Sequence, residues 1–194
     1  MIAQPQHLKM SVAAYLALDD ESRDVRYEYI DGYAYMLAGG TPTHALIAAN
    51  LIAEISAQLR GGPCRVYTSD AKVRLAQLRF VYPDVTVSCY EHDQQIEAKT
   101  LQSPRLVIEI LSPKTEAYDR GNKSSYYRAC PTIQEYVLVS TQQRAVEVYR
   151  RASENLWTLH TFGPNEQISF ASIEATLPVA TIYEYVRLPE DEEE

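Results

Sequence analysis

The chain has 194 residues, 46% of them hydrophobic and 23% charged, a composition that suits one globular domain with a sizeable core. Seven Gly and ten Pro exclude a low-complexity or collagen-like protein. Eighteen basic against 26 acidic residues give a net charge of −8, and without the terminal run Glu190-Asp191-Glu192-Glu193-Glu194 the balance is −3, which excludes a broad phosphate-binding surface but not a local basic cleft.

Ser11 caps a short helix that runs to about Leu18. Tyr27 to Leu37 reads as a hairpin turning at Asp31-Gly32. Gly39-Gly40-Thr41-Pro42 is a loop, after which Thr43 is expected to cap a helix from His44 to about Arg60. There Ala45, Ala48, Ile52, Ile55 and Leu59 recur at spacings of three and four and make one apolar stripe. Gly61-Gly62-Pro63 ends it. Strands follow at Arg65 to Ser69, at Lys72 to Leu75 and after Tyr82-Pro83, where Val85, Val87 and Cys89 alternate with Asp84, Thr86 and Ser88. Leu106-Val107-Ile108-Glu109-Ile110-Leu111 has the near-continuous apolar pattern of a central strand buried on both faces. A helix is predicted over Asp119 to Cys130, weakened by Gly121 and Asn122. A hairpin over Glu135 to Val139 and Ala145 to Tyr149, a strand over Trp157 to Phe162 and a closing helix over Ala180 to Val186 complete an α/β or α+β chain with a mixed sheet. Residues 1–187 form the expected single domain, and 188–194 an acidic disordered tail.

Cys64, Cys89 and Cys130 are an odd, widely spaced set without a CxxC pair, which argues against a zinc site or a disulfide framework and for free thiols in a reducing compartment. The N-terminus lacks the basic start and apolar run of a signal peptide. The apolar stretch from Ala45 to Ile55 is broken by Asn50 and Glu54 and is too short to span a bilayer. A soluble cytoplasmic protein without membrane contact is expected.

Glu109 is the anomaly in this pattern. A carboxylate inside an apolar strand is costly unless a cation or a metal compensates it. An arginine partner or a place at the sheet rim would also explain it. Asp84 opens a strand directly after Pro83, a position that also suits a turn residue. Together, two carboxylates on neighbouring strands can converge on a hard cation such as Mg²⁺, which can generate hydroxide and stabilise a pentacovalent phosphate. Lys123 lies on the following helix with Tyr126 and Tyr127 on the same face, and beside a metal it could steady negative charge; a solvated helix lysine is the plainer reading. Glu28, between Tyr27 and Tyr29, is a further carboxylate, or a surface glutamate. His44 opens the long helix, where it could meet phosphate or water, or bond a loop. Arg65, Lys72, Arg74 and Arg79 could contact phosphate, although alternating strand charges are usually just solvated. The fifteen tyrosines suit the rim of a core more than base stacking. No Walker loop, GxGxxG, GxSxG or HExxH is present.

The segments Tyr27-Glu28-Tyr29-Ile30-Asp31-Gly32, Thr41-Pro42-Thr43-His44, Tyr82-Pro83-Asp84-Val85 and Pro104 to Pro113 form one ordered set. Asp119 with Lys123 and Tyr126, then Glu135-Tyr136-Val137-Leu138-Val139 and Val146-Glu147-Val148-Tyr149, extend it. This set resembles the Uma family of restriction-endonuclease-like proteins, abundant in cyanobacteria, within the PD-(D/E)XK nuclease superfamily. The resemblance runs from about Tyr27 to Tyr185, and its specific part is the strand ending Glu-x-Leu-Ser-Pro followed by Asp-x3-Lys. It implies a central mixed sheet flanked by helices and a metal-dependent endonuclease that hydrolyses phosphodiester bonds of nucleic acid, DNA first. It implies Asp84 and Glu109 as ligands of Mg²⁺ or Mn²⁺, with the Ile110 carbonyl as a third. On this resemblance Lys123 would be the catalytic lysine, and Glu28 and His44 are expected to complete the site. The superfamily lysine two residues after the acid would fall at Leu111, so the family resemblance moves that role to Lys123. Many relatives carry Glu after the Asp-Gly turn, where this chain has Tyr33. A symmetric homodimer is expected of a nuclease that cuts both strands. The rival expectation is a binding or scaffold protein that keeps the nuclease fold without turnover.

Overall fold

The computed structural model describes residues 8–22 and 24–192. Its elements in order are β1 (Leu8–Lys9), α1 (Val12–Glu21), β2 (Tyr27–Ile30), β3 (Tyr33–Met36), α2 (Pro42–Gln58), β4 (Arg65–Thr68), β5 (Val73–Ala76), β6 (Arg79–Val81), β7 (Val85–Ser88) and β8 (Pro104–Ile110). Then come α3 (Glu116–Tyr118), a π turn (Asp119–Lys123), α4 (Ser124–Ala129), β9 (Glu135–Val139), β10 (Val146–Ser153), β11 (Leu156–Phe162), β12 (Gln167–Phe170), β13 (Ala175–Pro178) and α5 (Val179–Ile182).

The strands form a six-stranded sheet in the order β11-β10-β9-β8-β7-β4, a five-stranded sheet in the order β1-β3-β2-β6-β5, and the hairpin β12-β13. Among the strands of the described residues, the central pair β8 and β9 alone runs parallel. A parallel pair needs a crossover, and α3, the π turn and α4 supply it. The mixed α+β architecture is the one the sequence pattern predicts.

Alternation along β8 divides the core. Leu106, Ile108 and Ile110 join Ile47, Leu51 and Ile55 of α2, together with β12, β13 and α5, on one face. Val107 and Leu111 join Tyr127, Tyr136 and Leu138 on the other face, with Ile30, Val73 and Val81 from the five-stranded sheet. Glu109 shares that second face by parity. The apolar run therefore is a central strand buried on both sides. Tyr15, Tyr29 and Phe80 make a small aromatic core between α1 and the five-stranded sheet.

Several local expectations shift. The cap of α2 is Thr41, not Thr43: its side chain accepts from the His44 N–H and Pro42 occupies the first turn, where a missing N–H costs nothing. The helix after β8 begins at Glu116, and the weak spot at Gly121-Asn122 is the π turn. The closing helix is one turn, Val179–Ile182. Strands β6, β12 and β13 are too short to carry a clear period. Leu188 is buried in the core and Asp191 holds Arg144 through both carboxylate oxygens, so the acidic tail begins as an ordered turn; residues 193 and 194 lie outside the described residues.

The expectation of free thiols is overturned for two of the three cysteines. Arg65 of β4 pairs with Ser88 of β7, so the same antiparallel register sets Cys64 opposite Cys89, and the two form a disulfide. Cys130 is free and buried. The inference from thiols to a reducing compartment loses its basis. Closing a loop of 25 residues should contribute about 3 kcal/mol through the unfolded chain. We expect Cys89→Ser to lower the unfolding free energy from urea titration by about that amount. Dithiothreitol should bring the wild type down to the same level and leave the variant unmoved; an insensitive wild type would contradict the bridge.

Candidate active site

The site lies at the carboxyl end of β8, where a parallel strand pair opens toward its crossover. Pro83 ends the β6 segment and sets Asp84 at the start of β7. From there the Oδ2 of Asp84 accepts the Ile110 main-chain N–H at 2.7 Å, which ties it to β8. The same oxygen lies 3.0 Å from Nε2 of His44, at the start of α2. His44 reaches that point because the preceding chain has no side chain to obstruct it: a Cβ on Gly40 would come within 2.9 Å of His44 Nδ1.

Glu109 is 4% exposed, and its compensating cation is Lys123, not arginine. Lys123 Nζ stands 2.8 Å from Glu109 Oε1, 3.2 Å from Glu28 Oε1 and 3.8 Å from Asp119 Oδ1. The Tyr127 hydroxyl donates to Glu109 Oε1, and the Tyr82 main-chain N–H donates to Glu28 Oε1 at 3.2 Å. Lys123 is itself buried, so the solvated-lysine reading fails. Glu28 is buried as well, which settles its undecided face inward.

The electrostatics follow from burial and excess negative charge. Burial pushes the Glu109 carboxyl well above the usual carboxylate range; Lys123 opposes this, and Asp84, Asp119 and Glu28 add to it. Burial also raises Asp119. Burial works against the charge on Lys123, but Glu109, Glu28 and Asp119 outweigh it and hold its pKa well above that of an ordinary lysine. Burial, then Glu109, raises Tyr127, which therefore stays a hydrogen-bond donor. The hydrogen bond to Asp84 raises His44, against a smaller opposing effect of burial.

The five named residues thus form two linked pairs, His44–Asp84 and Lys123–Glu109/Glu28, joined through the Ile110 N–H. Among the described residues, the hydrogen bonds to the three carboxylates all fall on one oxygen of each: Oδ2 of Asp84, Oε1 of Glu109 and Oε1 of Glu28. Leu111 is buried in the core and takes no part. Tyr33 sits at the hairpin turn with Ile30, opposite none of these groups.

Asp119 was not among the expected site residues, although an aspartate four residues before a lysine is a readable helix pair. Tyr127 was placed on the lysine's face but given no bond. The basic quartet does not form a phosphate surface. Lys72 is buried against Asp19 at 2.8 Å, Arg79 is held by Asp31 and stacks on Tyr126, Arg74 lies over Phe80, and Arg65 bonds the Gly62 and Cys64 carbonyls. Tyr15, Tyr29, Tyr127 and Tyr136 go deeper than the expected core rim and are fully or almost fully buried, while Tyr33, Tyr90, Tyr118 and Tyr185 are exposed.

A mixed sheet with an acid-lysine centre at the end of its central strand defines a protein of the restriction-endonuclease-like class. A protein of Anabaena variabilis, whose crystal structure is described as that of a "putative nuclease belonging to DUF820", superposes with a TM-score of 0.73 at 17% identity, over 92% of this chain and 99% of that one, and shows the same fold. The chain belongs to the Uma2 family, described as "Putative restriction endonuclease", whose model matches residues 12–181. It is 32% identical over 176 residues to the uncharacterized protein slr1290 of Synechocystis, covering 90% of this chain and 92% of that protein. A second uncharacterized Synechocystis protein, sll1609, is 26% identical over 165 residues, 84% of this chain and 93% of its own length.

Two stability tests follow. Lys123→Met should cost roughly 3–5 kcal/mol at pH 8, since it strands buried carboxylates. The deficit should shrink toward pH 4–5 as they take up protons; a pH-independent loss would mean that packing, not charge, is what Lys123 supplies. For His44, the folded pKa lies above the unfolded value of about 6.5. Its pair with Asp84 therefore stabilises fully below that value and is lost as pH rises through the folded pKa. The stability gap between wild type and His44→Gln should be wider at pH 5.5 than at pH 9 in denaturant titrations, and a gap that widens with pH would reverse the assignment.

Proposed function

We propose that this chain is a metal-dependent endonuclease that hydrolyses phosphodiester bonds of DNA at the Asp84–Glu109–Lys123 centre. The observation that carries the reading is the pair of carboxylates, Asp84 and Glu109, held at the end of β8, with the Lys123 ammonium 2.8 Å from an oxygen of Glu109. Carboxylate oxygens suit a hard cation. No three His, Cys, Asp or Glu side chains among the described residues converge as a ready cage. A sparse set of two carboxylates fits Mg²⁺, which keeps several waters and takes substrate phosphate as a ligand.

Asp84 and Glu109 are the residues that would hold Mg²⁺ or Mn²⁺, with the Ile110 carbonyl as a third donor. When bound, the ion supplies positive charge at the phosphate and lowers the pKa of water. The protein's own groups do the rest. Lys123 keeps its proton and offers a fixed ammonium to the attacking water and to the charge that builds on the phosphoryl oxygens. Glu28 and Asp119 hold that ammonium in place. His44 fixes Asp84 and carries a proton at Nε2 close to the reacting phosphate. Water adds to phosphorus, the ester P–O bond breaks, and the departing oxygen takes up a proton. A cytoplasmic location is part of this reading, since DNA is the substrate; no helix among the described residues is long and apolar enough to cross a membrane.

A second reading, a nuclease-fold binding protein without turnover, draws on the pairing of Asp84 with His44 and of Glu109 with Lys123 and Tyr127. One assay separates the two. Purified protein is incubated with duplex, single-stranded and branched DNA, and with RNA, in Mg²⁺ or Mn²⁺. The nuclease reading expects cleavage that chelation abolishes. Asp84→Asn and Glu109→Gln should reduce it by at least about 100-fold while keeping a wild-type circular dichroism spectrum. No cleavage of any substrate, with retained DNA binding, would favour the second reading.

A further inference from the structure

The six-stranded sheet ends in β11, and the sequence of that edge is unusual. Leu156-Trp157-Thr158-Leu159-His160-Thr161-Phe162 contains no Asp, Glu, Lys, Arg or Pro. Leu156 and Leu159 are 58% and 52% exposed. Exposed edges are normally protected by charge, proline or a bulge. The other edge, β4, is shorter, carries Arg65 and is stapled by the disulfide next to it. Of the two edges of this sheet, β11 is the one whose strand carries neither charge nor proline, and the irregularity in its pairing with β10, between Arg151 and Ser153, is confined to the Leu156–Trp157 end.

The backbone register says which groups are free to pair. The Arg151 N–H bonds Gln134 O at 2.9 Å and the Ser140 N–H bonds Ala145 O at 3.1 Å. Alternation then turns the main chain of Glu147, Tyr149 and Arg151 toward β9, and that of Val146, Val148 and Arg150 toward β11. The partners of the latter three, Phe162, His160 and Thr158, bond inward. Trp157, Leu159 and Thr161 direct their N–H and C=O groups off the sheet.

We propose that β11 pairs antiparallel with β11 of a second copy of this chain about a two-fold axis at Leu159. The strand is its own complement in this register. Leu159 meets Leu159 of the other copy as a hydrogen-bonded pair, and Trp157 meets Thr161 in the same way, so every outward N–H and C=O finds a partner. Leu156 faces Phe162 and covers apolar surface, and Thr158 faces His160, two groups that can hydrogen-bond. No like charges oppose each other anywhere along the strand. The pairing stops at Asn155 and Gly163, where turns leave the sheet. An isologous contact of this kind closes on itself and leaves no β11 edge for further growth.

The test uses the full chain in sedimentation equilibrium, with chemical cross-linking as a second readout. The wild type should be dimeric at micromolar concentration. Leu159→Lys sets two ammonium groups opposite each other at an exposed position and should raise the dimer dissociation constant at least tenfold while the circular dichroism spectrum stays that of the wild type. Leu159→Cys should oxidise to a covalent dimer, since directly opposed residues of a hydrogen-bonded pair lie about 5.5 Å apart, within disulfide range. His160→Cys should not, because its opposite number is Thr158. A wild type that stays monomeric at all concentrations overturns the proposal. So does a dimer that persists in Leu159→Lys while Leu159→Cys fails to cross-link, because that dimer uses another surface.

Discussion

The structure is organised around one buried charge pair. Glu109 stands in the central strand, where burial alone would cost several kcal/mol, and it is tolerated because Lys123 arrives 2.8 Å away from the crossover helix. This requirement couples distant parts of the chain. The strand must be central for Glu109 to be buried, the crossover must lie on the same face, and Glu28 must come from the five-stranded sheet to balance the lysine. The Tyr127 hydroxyl donates to the same Glu109 oxygen that Lys123 holds, and its ring tilts against that of Tyr136.

Asp84 is managed differently. It is less deeply buried, and its oxygen is fixed by a main-chain N–H on β8 and a histidine on α2. The two carboxylates thus sit in unlike environments, one buried against a lysine and one held by a histidine where the chain is less buried.

Much of this was legible in the sequence. Glu109 announced itself as a charge in an apolar run, and Asp84 as an acid directly after proline at a strand start. Lys123 could be reached by the resemblance and by its spacing from two tyrosines. What could not be read depends on pairing between remote segments. The Cys64–Cys89 bridge follows from the β4–β7 register, which no local pattern states. Asp119 and the inward face of Glu28 depend on which surface the crossover and the second sheet present. Strands β6, β12 and β13 span at most four residues each, and so short a stretch of alternation does not stand out from chance. The basic quartet is close in sequence, but the fold divides it between two sheets and holds its members in pairs of their own.

The π turn at Asp119–Lys123 has a geometric consequence. The Ser124 N–H reaches back to Asp119 O, five residues away, so the turn holds one residue more than an α-helical turn would. Each helical residue advances the side-chain direction by about 100°. Everything from Lys123 onward is therefore rotated by that angle relative to Glu116 and Tyr118. Deleting one residue from this turn would restore a regular helix and carry Lys123 and Tyr127 around the cylinder, away from the carboxylates they now serve. The angular phase of the crossover, set by a single surplus residue, is what aligns the lysine with the strand.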